Sequence, residues 1–335
     1  MKNQDISRRK FLGTTVLAAA GITLASKSTF GVPAFIENFG KPNSVFNGVQ
    51  IGVISYSWRS MPSSAEQVLQ YCVECGISAI ELMGPAAEEF AGIPVMPPVQ
   101  RPAAAPGQPR PQMSPEQRAE IAAFNKKVAD WRANVPMTKF EQLRKMYNKA
   151  GVKIFGWKPS AMGTNNTDAE VDYAFRAAKA LGANQATLEL PRDSAQSKRI
   201  GDIAAKNKIY ASYHGHLQQT FTLWDEALAQ SEYNAMNLDS GHYVEAGGDP
   251  IPLIVARHDR IASMHIKDKK SKAHGGGDTF WGEGDAPILQ MLQLMAKNKY
   301  KFPATIELEY PVPAGSDAVK ETIKCLEYVK TAFKA

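Results

Sequence analysis

The chain has 335 residues, 44% hydrophobic and 21% charged, a balance that suits one large α/β domain and excludes a disordered or fibrous chain. Three cysteines are too few for a disulfide framework. The formal charge of +6 sits mostly at the N-terminus: residues 1–34 carry Lys2, Arg8, Arg9, Lys10 and Lys27 against Asp5, a net +4 that leaves +2 for the remainder. No later basic run is long enough to suggest a nucleic acid or an anionic membrane as partner.

The first element is a targeting segment. "SRRKFLG" (7–13) followed by the apolar run "TTVLAAAGITLA" reads as a twin-arginine export signal, with possible cleavage after Ala25 or Ala34. The run is too short and too broken for a stable membrane span. The expectation is an exported, periplasmic protein.

After Ala34 the chain alternates short apolar runs with amphipathic stretches. "VQIGVISYSW" (49–58) reads as the first strand, and "SAEQVLQYCVECG" as a helix ended by glycine. Its Cys72 and Cys75 form a C-x-x-C inside the helix, whereas a redox pair opens one; both are expected in the core. "SAIELM" (78–83) is the second strand. The stretch after it, 84–135, breaks the rhythm: "GPAAEEFAGIPVMPPVQRPAAAPGQPRPQ" reads as an extended Pro/Ala-rich insertion, and "SPEQRAEIAAFNKKVADWRANV" as an extra helix. The insertion leaves the strand end on the side where barrel active sites lie, as a lid, a homo-oligomer contact or decoration.

Six further strands follow, each after a helical pattern: "VKIFGWK" (152–158), "NQATLEL" (184–190), "KIYASYHGH" (208–216), "YNAMNLDSGH" (233–242), "DRIASMHIKD" (259–268) and "FPATIELEYP" (302–311). A last helix, "SDAVKETIKCLEYVKTAFK", closes the chain. Eight strands in strict alternation with helices predict parallel pairing through helical crossovers. About 300 residues suit a closed (β/α)8 TIM barrel, which typically needs about 250, as one domain over 45–335. The first strand lacks the glycine-rich phosphate fingerprint of an open doubly wound sheet.

In such a barrel, polar residues at strand C-termini converge. They are Glu81, Lys158, Glu189, His214 and His216, Asp239 and His242, His265 and Lys267, and Glu307 and Glu309. Any one alone has an ordinary reading as a turn cap, a salt-bridge partner or a core histidine. Jointly, Glu189, Asp239, His265 and Glu307 bring three carboxylates and an imidazole from four strands, a donor set for Mn²⁺, Mg²⁺, Co²⁺ or Zn²⁺. Without a cation, such a set would force some carboxylates to stay protonated. Tyr56 and Trp58 are expected at the rim, where Trp58 would stack on a sugar ring.

"LDSGH", "HIKD", "GEGD" and "IELE", in that order, resemble the xylose isomerase-like TIM barrel superfamily of sugar isomerases, ketose 3-epimerases and inosose or 3-dehydroshikimate dehydratases. The resemblance spans about residues 49–333, interrupted by the insertion. It implies a divalent metal on Glu189, Asp239, His265 and Glu307, and a substrate contact by His242. Period two puts Glu307 and Glu309 on one side of their strand, so either fits as ligand.

The resemblance further implies Glu189 and Glu307 as catalytic base and acid on opposite faces of a substrate enediolate, giving isomerisation or epimerisation. Elimination or hydration on a 3-keto-glycoside is the alternative, and a non-catalytic sugar-binding barrel a third. His214, His216, His242, Lys158, Lys267, Trp58 and Glu81 are the expected substrate contacts. Export favours an unphosphorylated sugar or keto-sugar. The trinuclear-zinc nucleases of the same barrel class need histidines from early strands, and all six here lie at or after residue 214.

Overall fold

A computed structural model describes residues 39–96 and 113–334. The export signal and most of the proline-rich run lie outside the described residues.

A short hairpin comes first. β1 (Val45–Phe46) pairs antiparallel with β2 (Val49–Ile54) across Asn47–Gly48. Both turn residues have positive φ, 47° and 81°, the backbone a two-residue Asn-Gly hairpin turn requires. The sequence reading had no strand here.

The barrel strands are β2, β3 (Ala79–Met83), β4 (Lys153–Lys158), β5 (Gln185–Glu189), β6 (Tyr210–His214), β7 (Asn234–Asp239), β8 (Ile261–Ile266) and β9 (Ala304–Ile306). They pair in parallel in sequence order, and β2 also pairs with β9, closing the sheet. The expected eight-stranded barrel is therefore present. β9 is shorter than the expected 302–311, which leaves Glu307 and Glu309 on the loop that follows it.

The helices are α1 (Ala65–Cys75), α2 (Gly84–Ala91), α3 (Pro115–Asn134), α4 (Thr138–Lys149), α5 (Asp168–Leu181) and α6 (Ser194–Asn207). They continue as α7 (Asp225–Gln230), α8 (Ser240–Glu245), α9 (Pro250–Arg257), α10 (Ile288–Asn298) and α11 (Ala318–Thr331). Among the described residues none is long and apolar enough to cross a membrane.

The insertion departs from expectation at its start. Gly84–Ala91 was read as extended and is helical: Pro85 occupies the first turn, where its missing N–H costs nothing, and Gly92 at φ 87° ends the helix. α3 forms as expected, with Ser114 and Gln117 as a reciprocal capping box. It is anchored by buried Arg132, which donates to Glu88 (3.0 Å), Glu170 (3.2 Å) and Ser160 (3.0 Å).

Two layers meet at the sheet. Outward-facing residues such as Leu188, Tyr213, Met236, Met264 and Ile306 pack with helix residues such as Phe140, Phe175 and Leu292 into an apolar core. Cys72 and Cys75 are buried thiols in or beside that core, as expected, and Cys325 is buried there too. Inward-facing positions, by the period-two rule, are polar: Gln185 and Thr187, Ser212 and His214, Asn237 and Asp239, Ser263 and His265, Thr305.

Candidate active site

These inward residues form one hydrogen-bonded column. Ser263 donates to Gln185 (3.0 Å), and Asn237 Nδ2 donates to Ser263 Oγ (2.7 Å) and to Glu81 Oε2 (3.2 Å). Thr187 donates to Glu81 Oε1 (2.6 Å). Above the column, His214 stands in register with Asn237, and Asp239 with His265.

Asp239 has two separate tasks. Its Oδ1 accepts from the backbone N–H of His242 (2.8 Å) and caps α8. Its Oδ2 is buried without a well-aligned hydrogen bond. Around that oxygen lie Lys267 Nζ at 2.9 Å, His214 Nε2 at 3.7 Å and His265 Nδ1 at 3.8 Å. Burial, opposed by Lys267 and reinforced by Glu307, raises its pKa to about 6.

His265 lies between two carboxylates, with Nε2 2.8 Å from Glu81 and Nδ1 3.1 Å from Glu307. Burial works against its charge, but Glu307 and Glu81 outweigh it and lift it to about 10. Lys267 reaches Glu307 (2.7 Å) and Glu309 (2.6 Å) as well as Asp239, and both "IELE" glutamates therefore face the site. Burial opposes ionisation of Glu307, yet Lys267 and His265 hold it well below the carboxylate range. Gly241 makes this possible: a Cβ there would come within 2.4 Å of Lys267 Cγ.

Glu189 stands apart. Its side chain is 51% exposed, 2.8 Å from Lys158 and 3.0 Å from His216. Burial is overridden by the His216 hydrogen bond and by Lys158, and the carboxylate stays ionised far below its usual range. The hydrogen bond from Glu189 likewise raises His216. His216 Nδ1 lies 3.2 Å from His242 Nε2. Burial, with Lys267 and Lys269 beside it, lowers His242 to about 2. Beside this relay a cavity of about 320 Å³ opens between Lys158, Pro159, Met162, Leu188, Glu189 and Pro191, a size suited to a small ligand.

The expected residues thus divide. His214, Asp239, His265, Lys267 and Glu307 form a buried cluster, with Glu189, Lys158, His216 and His242 at its mouth. Two expectations are corrected. Trp58 is 1% exposed, because Ser55–Trp58 turns as a 3-10 helix that carries the indole inward; its Nε1 donates to Thr322 (3.2 Å) and its ring meets Tyr71 edge-on. It is a core residue and cannot stack on a sugar. Glu81, expected as a substrate contact, is fully buried inside the barrel, where it orients His265.

Asn237, which sequence reasoning passed over, is the hub of the column; its signal was its place two residues before Asp239, on the same face. The "HIKD" and "GEGD" motifs also prove to be one structure. The Asp268 carboxylate accepts from the backbone N–H groups of Gly282 (2.7 Å), Gly284 (3.0 Å) and Ala286 (3.3 Å), and a Cβ at Gly284 would lie 2.2 Å from it.

The cluster fits a divalent cation. Asp239, His214 and His265 each offer a ligand atom, all within 4.8 Å of one another, and Asp239 Oδ2 makes no well-aligned hydrogen bond, with Lys267 Nζ as its near neighbour at 2.9 Å. Five carboxylates (Glu81, Glu189, Asp239, Glu307, Glu309) outnumber two lysines (Lys158, Lys267) and the charged His265 among them, an excess of negative charge that a divalent ion would offset.

No family model matches the chain. Among curated proteins, the inosose dehydratase of Clostridium botulinum (strain Eklund 17B / Type B) is 26% identical over 152 residues, 39% of this chain and 51% of that protein. The inosose dehydratase of Lactiplantibacillus plantarum is 29% identical over 129 residues, 32% of this chain and 43% of that protein. The chain thus spans about half the length of the curated relatives it matches.

Solved structures match more fully. The 3-keto-D-glucoside 4-epimerase YcjR of E. coli aligns with TM-score 0.55 at 11% identity, over 84% of this chain and 99% of that one. The "probable 3-DHS dehydratase AsbF" of Bacillus anthracis aligns with TM-score 0.57 at 15% identity, over 84% and 98%. A xylose isomerase domain protein of Alicyclobacillus acidocaldarius aligns with TM-score 0.55 at 14% identity, over 84% and 98%. Identities this low speak to the fold, and the fold they show is the closed eight-stranded barrel of the xylose isomerase-like proteins.

Proposed function

We propose that this protein is an enzyme that removes a proton from a carbon next to a carbonyl in a polyhydroxylated, unphosphorylated substrate. The observation that carries the reading is the pairing of a half-exposed, firmly ionised Glu189 at the mouth with the buried His214–Asp239–His265 cluster behind it. Bound in that cluster, a divalent cation would polarise the carbonyl as a Lewis acid and acidify the neighbouring C–H.

The chain's own residues do the rest. Glu189, the carboxylate a substrate meets first, acts as general base, and His216 takes the proton onward or returns it. The Lys267–Glu307 pair handles protons from the other side, and Lys158 steadies the developing enolate charge. Returning the proton to carbon on the opposite face gives epimerisation; moving it to the neighbouring carbon gives isomerisation.

Elimination is the second reading, favoured by the dehydratase names of the curated relatives. Glu189 would take the α-proton while His216 protonates a β-hydroxyl, which leaves as water. An unphosphorylated substrate is supported by the lysines in and around the site, since Lys158, Lys267 and Lys269 are all paired with carboxylates. Export by the twin-arginine route belongs to the same proposal.

The test is solvent exchange. Protein loaded with Mn²⁺ in D₂O is offered free ketoses, 3-keto-glucosides and keto-inositols, followed by NMR. Deuterium next to the carbonyl, slowed about 10²–10⁴-fold in Glu189→Gln, is the expected result. The products then separate epimerisation from loss of water. No exchange on any of these substrates, or full exchange in the variant, overturns the reading.

A further inference from the structure

The sequence leaves the insertion between β3 and β4 as a lid, a homo-oligomer contact or decoration. We propose a fourth role, a brace for the candidate active site, in which Arg132 is a positioning residue that holds the loop after β4 and, through it, Lys158. The catalytic consequence rests on the proposed reaction, where Lys158 steadies the enolate charge; the brace itself does not.

Three observations carry it. The first is what α3 buries. Of its 20 residues only Arg132 is buried. A buried charge is a poor source of stability, because the cost of desolvating it and its partners can exceed their attraction. What a guanidinium supplies is direction, since its planar fork fixes several partners at once. Nε donates to Glu88 on α2 (3.0 Å), Nη1 to Glu170 on α5 (3.2 Å) and Nη2 to Ser160 (3.0 Å). Tyr173 donates to Glu88 (3.2 Å) and Asn166 to Glu170 (2.9 Å), which completes the frame.

The second is where the frame ends. Ser160 lies two residues past Lys158, and Asn166 Oδ1 accepts from the backbone N–H of Gly163 (2.9 Å). Arg132 thus holds the loop directly at Ser160 and, through Glu170 and Asn166, at Gly163. Ser160 and Gly163 both belong to the wall of the cavity beside Glu189.

The third is that Lys158 needs the support. The pairing of β4 with β5 ends at Trp157, so Lys158, the last residue of β4, is in register with a neighbour on one side, Met83 of β3. The insertion begins against that same point. A Cβ at Gly84 would lie 3.0 Å from the Lys158 carbonyl oxygen and 3.1 Å from Pro159 Cα. α2 from one end of the insertion and α3 from the other therefore grip the backbone whose side chain meets Glu189 at 2.8 Å.

The test reads Lys158 without a substrate. Full-length protein is treated with limiting acetic anhydride, and acetylation of Lys158 is measured by peptide mass against Lys153, exposed at the other end of the same strand. Arg132→Lys keeps a positive charge between Glu88 and Glu170 but loses the fork. Ser160→Ala keeps both ion pairs and removes only the direct link to the loop. Each should raise Lys158 labelling about threefold or more, and the double variant no further than the larger single effect, because both cut one connection. Unchanged labelling in Ser160→Ala, or effects that add in the double variant, overturns the brace.

Kinetics then test its consequence. On any ketone that exchanges in D₂O, both single variants should lower kcat roughly 10–100-fold and leave KM within about twofold, since a displaced Lys158 fails the enolate and not the substrate. A rise in KM confined to Ser160→Ala would make Ser160 a substrate contact and overturn its place in the brace. Faster labelling with no exchange on any ketone would leave the brace standing and remove the proposed reaction. Exchange by the native protein with labelling unaltered in the variants would do the reverse.

Discussion

The two faces of the barrel sheet are built from opposite materials. Outside, Leu188, Tyr213, Met236 and Ile306 meet the helices in a layer held by close apolar packing. Inside, Gln185, Ser263, Asn237, Glu81 and His265 form a column in which each group is fixed by a directional partner. The outer layer tolerates imprecise direction but not lost volume. The inner column behaves the other way, since one missing partner leaves a buried polar group unsatisfied and turns a ring. Apolar packing and the polar candidate site are thereby placed on different faces of the same eight strands.

That division can be tried by mutation. The largest effect on stability belongs to the outer face: Phe175→Ala, at a fully buried position, should cost about 3–5 kcal/mol in denaturant unfolding while leaving Mn²⁺ affinity unchanged. A parallel loss of affinity would mean the layers are not separate. Asn237→Leu, inside, should cost less, about 1–3 kcal/mol from unpaired Glu81 and His214. It should nevertheless weaken Mn²⁺ binding by about 10–100-fold, read by calorimetry, because both imidazoles lose their orientation. Equal binding in that variant would show that the column only fills space.

Gly241→Ala probes the rim. The added Cβ must displace Lys267 from 2.4 Å, at about 1–3 kcal/mol, and should loosen Lys267 from Asp239 and Glu307. A thermal melt unchanged from the native protein would show that the lysine stem gives way freely.

The smallest effect is expected at the insertion, which lies outside both layers. Glu170 is held below its ordinary value of 4.5: burial opposes its charge, and the Thr167 backbone, Asn166 and Arg132 together prevail. A depressed carboxylate contributes its stability above 4.5, and that stability is lost as pH falls through the lower folded value. Hydrogen exchange in α3 should therefore quicken below pH 4.5, before the barrel helices respond. Loosening on the alkaline side instead would refute the role given to this carboxylate.

Much of this was legible in the sequence, because alternation of apolar runs with helical periods is what a barrel requires. The polar inward positions were legible too, wherever they lay at strand ends. Three features were not. The Asn47–Gly48 hairpin carried a strong local signal, but a two-residue strand has no periodicity to accompany it. Trp58 was misplaced because a 3-10 turn replaced the last residues of the expected strand, and one turn decides whether an indole faces the mouth or the core. Glu81 and Asn237 were underread because depth along a barrel axis depends on strand tilt and register, which no single strand encodes. Their partners lie 184 and 23 residues away in the chain.

Asp239 carries a consequence of another kind. One of its oxygens begins a helix and the other faces the cluster. Asparagine caps a helix as well as aspartate does, but brings no charge. Asparagine at 239 would therefore keep the start of the helix and remove the charge that buried Lys267 faces. Under the proposed reaction, an asparagine at this one position would mark a barrel that keeps its helix start and loses the charge of its cluster.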